Sequence, residues 1–226
     1  MARGAAFFDL DRTVLRKSSA LALAGAFRER GLIDRRQLAK AAAWQVLFTA
    51  RGLGAEATGR AVVDGVRLLR GLPTDELRQL VADSMENALK PLVYRDALEL
   101  AAEHRACGER TYLVSAALQE IAEAIAAELG FDGAIGSLGE TVDGAYTGRT
   151  LRACHGAEKA AAVRELSDRE GIDLAASTAY SDGASDLPLL EAVGRAVAVN
   201  PDRELRRTAS ARGWEILDFR SKGRAA

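Results

Sequence analysis

Cysteine is nearly missing from this chain: Cys107 and Cys154 are the whole complement of 226 residues, and they form no C-x-x-C pair. A disulfide framework is thereby excluded, and both read as reduced thiols of a cytoplasmic protein. Charge of one sign is not in excess either. The 31 basic and 32 acidic residues leave a formal charge of -1, so nothing advertises nucleic acid as a partner. No long apolar run exists. Residues 41–50 come nearest, but Gln45 and Thr49 interrupt them, and they fall well short of the roughly 20 residues a membrane span needs. The short run Ala5-Ala6-Phe7-Phe8 is cut at once by Asp9 and Asp11, so no signal peptide is expected. Lysine is scarce, at positions 17, 40, 90, 159 and 222 only, which makes a lysine inside a motif stand out. Repeats and low-complexity segments are absent, and only residues 221–226 read as a loose tail.

What is present is the material of an α/β protein. The length suits one α/β domain with a modest insertion, and an apolar fraction of 48% is ordinary for a globular chain. Residues 5–8 read as a strand buried on both faces, as in a parallel sheet, with Asp9 at its tip. From Ser18 to about Ala88 the pattern is helical only. Helices are predicted over 21–30, 35–50 and 59–70, each closed by glycine or Arg51-Gly52, and another opens at Pro73-Thr74. After that, helix and strand alternate: helix 92–107, strand 111–114, helix 118–129, a hairpin over 140–147 about Asp143-Gly144, helix 157–170, strand 178–181, helix 185–193, strand 196–199, helix 201–212 and strand 214–219. The architecture predicted is a doubly wound, Rossmann-like parallel sheet made from 1–17 and 88–226, with an all-helical cap inserted over 18–87. In such sheets ligands bind at the carboxyl ends of the strands, where strand order reverses.

Three polar clusters fall at those ends, and one lysine opens a helix. They are Asp9-Leu10-Asp11-Arg12-Thr13, Ser115-Ala116-Ala117, Lys159, and Ser181-Asp182-Gly183-Ala184-Ser185-Asp186. Carboxylates at Asp9, Asp11, Asp182 and Asp186 in one pocket repel one another unless a cation sits among them. A hard divalent ion is implied, and Mg2+ is the natural choice because it takes few protein carboxylates and completes its shell with water and phosphate oxygens. Ser115 and Lys159 supply the hydroxyl and the charge that a phosphoryl group needs.

These four clusters, in this order, resemble the motifs of the haloacid dehalogenase superfamily of hydrolases: D-x-D-x-T at Asp9 to Thr13, then Ser115, Lys159, and Asp182 with Asp186. The resemblance spans the whole chain. The helical insert directly after the first motif looks like the cap of the phosphoserine-phosphatase-like subgroup. Each motif alone is weak, whereas four on the right elements are specific. The resemblance implies a magnesium-dependent phosphatase acting on a small-molecule phosphomonoester. Asp9 becomes the nucleophile that forms an aspartyl phosphate. Asp11 becomes the acid for the leaving alkoxide and then the base for water, which calls for a raised pKa. Thr13 orients Asp11. Ser115, Ala116 and Lys159 bind the phosphoryl group, and the metal falls to Asp9, the Asp11 carbonyl, Asp182 and Asp186.

Plainer readings compete at single positions. Ser115 and Asp186 also suit helix caps, and Arg12 either lines the entrance to meet a substrate anion or points outward. His155 reads as a loop residue at the rim and His104 as a helix-surface residue. The stretch with Trp44, Val46, Leu47 and Phe48 reads as cap core, with a homodimer contact or a lipid-facing surface as the alternatives. Two rival functions remain: a phosphotransferase on the same scaffold, and a phosphoacceptor signalling domain, which fits poorly because such domains lack a helical cap. The resemblance has one departure. Phosphoserine phosphatases carry a glutamate shortly after the first motif to pair with the substrate ammonium, whereas Val14-Leu15-Arg16-Lys17-Ser18-Ser19 holds no carboxylate. Poor activity on phosphoserine is therefore expected.

Overall fold

The computed structural model describes residues 3–33 and 55–219. The helix predicted over 35–50, its apolar stretch and the loose tail lie outside the described residues. Seven strands, β1 (Ala5–Asp9), β2 (Arg110–Leu118), β3 (Gly133–Val142), β4 (Ala145–Arg152), β5 (Thr178–Ser181), β6 (Arg195–Val199) and β7 (Glu215–Leu217), form one sheet. Its order is β4-β3-β2-β1-β5-β6-β7. Every neighbouring pair is parallel except β3 with β4. The helices are α1 (Ser19–Glu29), α2 (Ala55–Leu68), α3 (Thr74–Ser84), α4 (Arg95–Ala106), α5 (Gln119–Leu129), α6 (Ala157–Glu170), α7 (Leu187–Leu190) and α8 (Arg203–Arg212).

β1 is buried at every position, which is why its sequence runs apolar without alternation. Its two phenylalanines face opposite ways. Phe8 joins Leu113, Tyr180 and Val197 in a cluster with residues of α1 to α5, such as Leu23, Val66, Leu77, Ala97 and Ile125. Phe7 joins Tyr112, Val114 and Ala179 with Val163, Leu189 and Leu205 from α6, α7 and α8. Phe8 stacks on Tyr180 at 4.4 Å and Phe7 on Tyr112 at 5.7 Å, so each ties β1 to a different neighbour. Burying one such ring contributes roughly 2 kcal/mol.

The chain leaves β1 for β2 on one side and returns to β5 on the other. The loops after β1 and β5 therefore diverge, and a crevice opens between them at the carboxyl edge. Asp9 is level with Val114 across the β1/β2 pairing, which sets Ser115 one residue beyond it. The β2/β3 register shifts between Val114 and Leu118; this irregularity takes the 115–117 backbone out of the regular ladder.

Among the described residues, no strand interrupts the helices between β1 and α4. A π-helical turn, Met85–Leu89, and a 3-10 turn, Lys90–Leu92, bring the chain back, where Val93 bridges to Leu15. Gly71 N and Thr74 N donate to the carbonyls of Tyr146 and Gly144, and Tyr146 N donates to Leu72 O. The α2–α3 connection is thus bonded to the β3–β4 hairpin.

The structure differs from the sequence expectation in three places. The hairpin is far longer than 140–147, because Gly133 to Ile135 pair in parallel with β2 even though this glycine-rich stretch has little strand propensity. Its turn does fall at Asp143-Gly144, with φ of 51° and 79°, the left-handed pair that a type I′ turn requires. The helix expected over 185–193 shrinks to α7 after a 3-10 turn. His104 is not on the surface: its ring is wedged between Glu109, 2.5 Å from Nδ1, and the Tyr180 hydroxyl, 2.7 Å from Nε2.

Gly136 in β3 lies against the backbone where β2 ends and α5 begins. A Cβ there would stand 2.7 Å from Gln119 Cα and 2.9 Å from Ala117 O, and Gly136 N already accepts no slack, donating to Gln119 Oε1 at 2.6 Å. Gly136→Ala is expected to cost about 2 kcal/mol and to lower activity by displacing Ser115. Urea denaturation beside a turnover assay checks both; an unchanged midpoint and rate would show that this contact positions nothing.

Candidate active site

The carboxyl edge of the sheet gathers charged side chains that burial would otherwise exclude. Asp9, Lys159, Asp182 and Asp186 are each no more than 7% exposed. Lys159, in the first turn of α6, reaches across to Asp9 Oδ1 at 2.5 Å and Asp186 Oδ2 at 2.7 Å. Asp186 Oδ2 also accepts from Ser181 Oγ at 2.7 Å. Two acids thus hold one ammonium, and the Ser181 hydroxyl in turn holds one of those acids.

The loop after β1 closes on itself, with Val14 N and Leu15 N both donating to Leu10 O. Asp11 Oδ1 accepts from the Ser19 backbone N–H at 2.8 Å, so the start of α1 orients this carboxyl. Thr13 does not: its hydroxyl is buried with no hydrogen-bond partner. The expected orienting role passes from Thr13 to Ser19, a contact that sequence spacing gave no sign of. Arg12 takes a left-handed backbone conformation, φ 69°, and its Nε lies 3.1 Å from Asp182 Oδ2. Its partner is thus a carboxylate of the site itself, which neither reading of Arg12 had foreseen. Arg16 instead donates to Pro91 O and lies over the Tyr94 ring.

The loop after β5 is braced from behind. Asp202 caps α8 by accepting from Leu205 N, while its other oxygen accepts from Ala184 N and its own N–H donates to Asp182 O. Asp202 was missed by sequence reasoning. Its cap was visible in the order Pro201-Asp202, but its grip on Ala184 is a tertiary contact. Ser115 is buried in β2 and accepts from Ala117 N through Oγ; the Ala116 carbonyl accepts from Ser137 Oγ.

These surroundings set the acidities. Burial pushes Asp9 up to about 7; Lys159 pulls against it, and Asp186 and Asp11 add to the rise. Asp11 is raised by burial, opposed by its bonds to Ser19. Asp182 is raised well above the carboxylate range by burial and by Asp9, with Arg12 opposing. Burial works against the Lys159 ammonium, but Asp186 and Asp9 outweigh it and hold its pKa above the lysine value. The donor set fits a hard divalent ion. Among the described residues no three acidic, imidazole or thiol groups form a closed cage, and Mg2+ asks for none, since one or two carboxylates and waters suffice. Asp9 and Asp182 can supply those oxygens; Asp186 is already engaged by Lys159 and Ser181.

A profile described as haloacid dehalogenase-like hydrolase matches residues 6–191. The chain belongs to that family of hydrolases. Its kinship within the family is with phosphatases. A probable phosphatase of Mycobacterium tuberculosis is 41% identical over 218 residues, covering 96% of this chain and 76% of that protein. A phosphoserine phosphatase of the same organism is 38% identical over 228 residues, covering 98% and 73%. A solved structure from Bordetella pertussis, described as a protein with unknown function, is 30% identical with a TM-score of 0.82, covering 96% of this chain and 99% of that one. The family sets aside the signalling-domain reading. Among the described residues, no helix is long and apolar enough to cross a membrane.

Because Asp9, Asp11 and Asp182 are all raised, the folded protein keeps protons that the unfolded chain has released above about pH 4. Stability without metal must therefore fall as pH climbs from there toward the Asp9 value. Asp182→Asn removes one of these acids and its repulsion on Asp9. In chelator, the wild type is expected to lose more stability between about pH 5 and about pH 7.5 than Asp182→Asn does. Urea unfolding at both values measures this, and equal losses would contradict the raised acidities.

Proposed function

We propose that this chain is a magnesium-dependent phosphomonoester hydrolase that carries the phosphoryl group on Asp9. The observation that supports it best is the pairing of one buried lysine with Asp9 and Asp186 while Asp11, two residues on, is held separately by Ser19. The two carboxyl groups of one short loop therefore live in different surroundings and can do different work. Asp9 attacks phosphorus, and the bond to the leaving oxygen breaks as the Asp9–phosphorus bond forms. Asp11 hands its proton to the departing alkoxide, which its raised pKa allows at neutral pH. It then takes a proton from the water that attacks the aspartyl phosphate, and orthophosphate leaves with Asp9 restored. Ser115, with the 116–117 backbone, and Lys159 hold the phosphoryl oxygens. Asp186 acts by fixing Lys159. Asp9, the Asp11 carbonyl and Asp182 would hold the metal ion. That ion supplies charge stabilisation for a transition state in which positioning and electrostatics dominate.

The name of one relative brings phosphoserine to this chain as a candidate substrate, and the residues of the entrance argue against it. No carboxylate stands between Asp11 and Glu29, and Glu29 is exposed. Asp64 in α2 is no substitute, because its side chain is 72% exposed and paired with Arg67. Neither Glu29 nor Asp64 therefore offers a counter-charge to a desolvated substrate ammonium. Esters with a neutral or anionic remainder, such as sugar, glycerol or lipid-type phosphates, fit the basic loop better.

Asp9→Asn is expected to reduce kcat by a factor on the order of 10⁴ or more, since an amide is not a competent nucleophile, with the folded circular-dichroism spectrum retained. Near-normal turnover in the pure variant would remove the covalent route. In a panel of phosphomonoesters assayed with magnesium, phosphoserine is expected about tenfold or more below the best ester in kcat/KM. Phosphoserine in first place would show that another group receives the ammonium.

A further inference from the structure

We propose that Arg12 is a built-in counter-ion that holds Asp182 in the metal-free enzyme and competes with the divalent cation for that carboxylate. Arg12 then sets how tightly the site takes its metal; this rests on the magnesium reading above. The charge pattern of the site carries the argument. Four carboxyl groups, Asp9, Asp11, Asp182 and Asp186, share two nearby cations. Lys159 is spent on Asp9 and Asp186, and Asp11 leans on Ser19. Asp182 is left to Arg12 alone among the ion pairs of the described residues, at 3.1 Å.

The two partners are unequally placed. The Asp182 side chain is only 9% exposed, whereas the Arg12 side chain is 32% exposed. A long guanidinium at the surface is readily rehydrated when it lets go. The backbone points the same way. Arg12 sits at φ 69°, a conformation that a residue with a Cβ adopts only under strain, and from it the side chain folds back onto the loop after β5. Glycine or asparagine would sit there without cost, yet the position carries a cation that reaches a proposed metal ligand. A divalent ion at Asp182 brings two positive charges to the oxygen pair where Arg12 brings one, and like charges at that distance repel. Uptake of the ion therefore releases the guanidinium toward the entrance.

The test is magnesium titration of the full chain by calorimetry, after chelation and desalting, for wild type, Arg12→Asn and Arg12→Lys. Asparagine tolerates the left-handed backbone, so the fold is retained while the charge goes. Arg12→Asn is expected to bind magnesium about fivefold tighter, with Arg12→Lys between it and wild type. In chelator, Arg12→Asn should melt below wild type, and magnesium should raise its melting temperature further. Equal or weaker binding by Arg12→Asn, with wild-type binding intact, overturns the competition and makes Arg12 a support for the metal ligand. If neither wild type nor either variant takes up magnesium, the metal reading itself fails and this inference with it.

Discussion

The pairing of Lys159 with Asp9 and Asp186 is the contact on which the rest of the site depends. A lone ammonium or carboxylate at this depth would be strongly disfavoured, and each is tolerable only because the others are present. The three residues come from the start of α6, the tip of β1 and the turn after β5. Satisfying one charge therefore fixes three elements against one another. Ser181 and Asp202 extend the arrangement: the Ser181 hydroxyl holds Asp186, and Asp202 bonds to Ala184 N and Asp182 O of the loop after β5.

Around that fixed point the two acids of the first loop are treated differently. Asp9 faces a cation and three other acids, whereas Asp11 faces the amide of Ser19 at the start of α1. The orientation of Asp11 therefore reports the position of α1. In the proposed mechanism a movement of α1 would therefore bear first on proton transfer at Asp11, although only Leu10 separates it from Asp9 in sequence.

Much of this could be read from the sequence because the signals were local. The unbroken apolar run 5–8 ending in Asp9, the glycines that close helices and the Asp143-Gly144 turn each follow from backbone preferences that act within a few residues. The lysine at the head of α6 stood out because lysine is rare here. What escaped was tertiary. The first half of β3 is held by β2 and not by its own residues, so its glycines hid it. Asp202 looked like a cap and is also a brace. Thr13 fitted its expected role by type, but its hydroxyl has no partner, and the bond to Asp11 comes from the Ser19 N–H, a contact across eight positions of the chain. His104 was misplaced because a polar ring near a helix end reads as surface, and only the fold brings Tyr180 beneath it.

The central position of β1 has a consequence for how the molecule is made. β1 is synthesised before the other six strands, yet its two neighbours, β2 and β5, lie more than a hundred residues further along the chain. During synthesis Phe7 and Phe8 wait without the strands that cover them, and Asp9 waits without Lys159. Contacts of such long range are formed late, after much chain entropy has been surrendered. Most of the sheet's hydrophobic edge is on offer to other molecules until then. A ribosome-bound fragment ending before α6 holds every residue of the first motif but not Lys159, the cation that neutralises it, so it is a client for chaperones and not yet an enzyme.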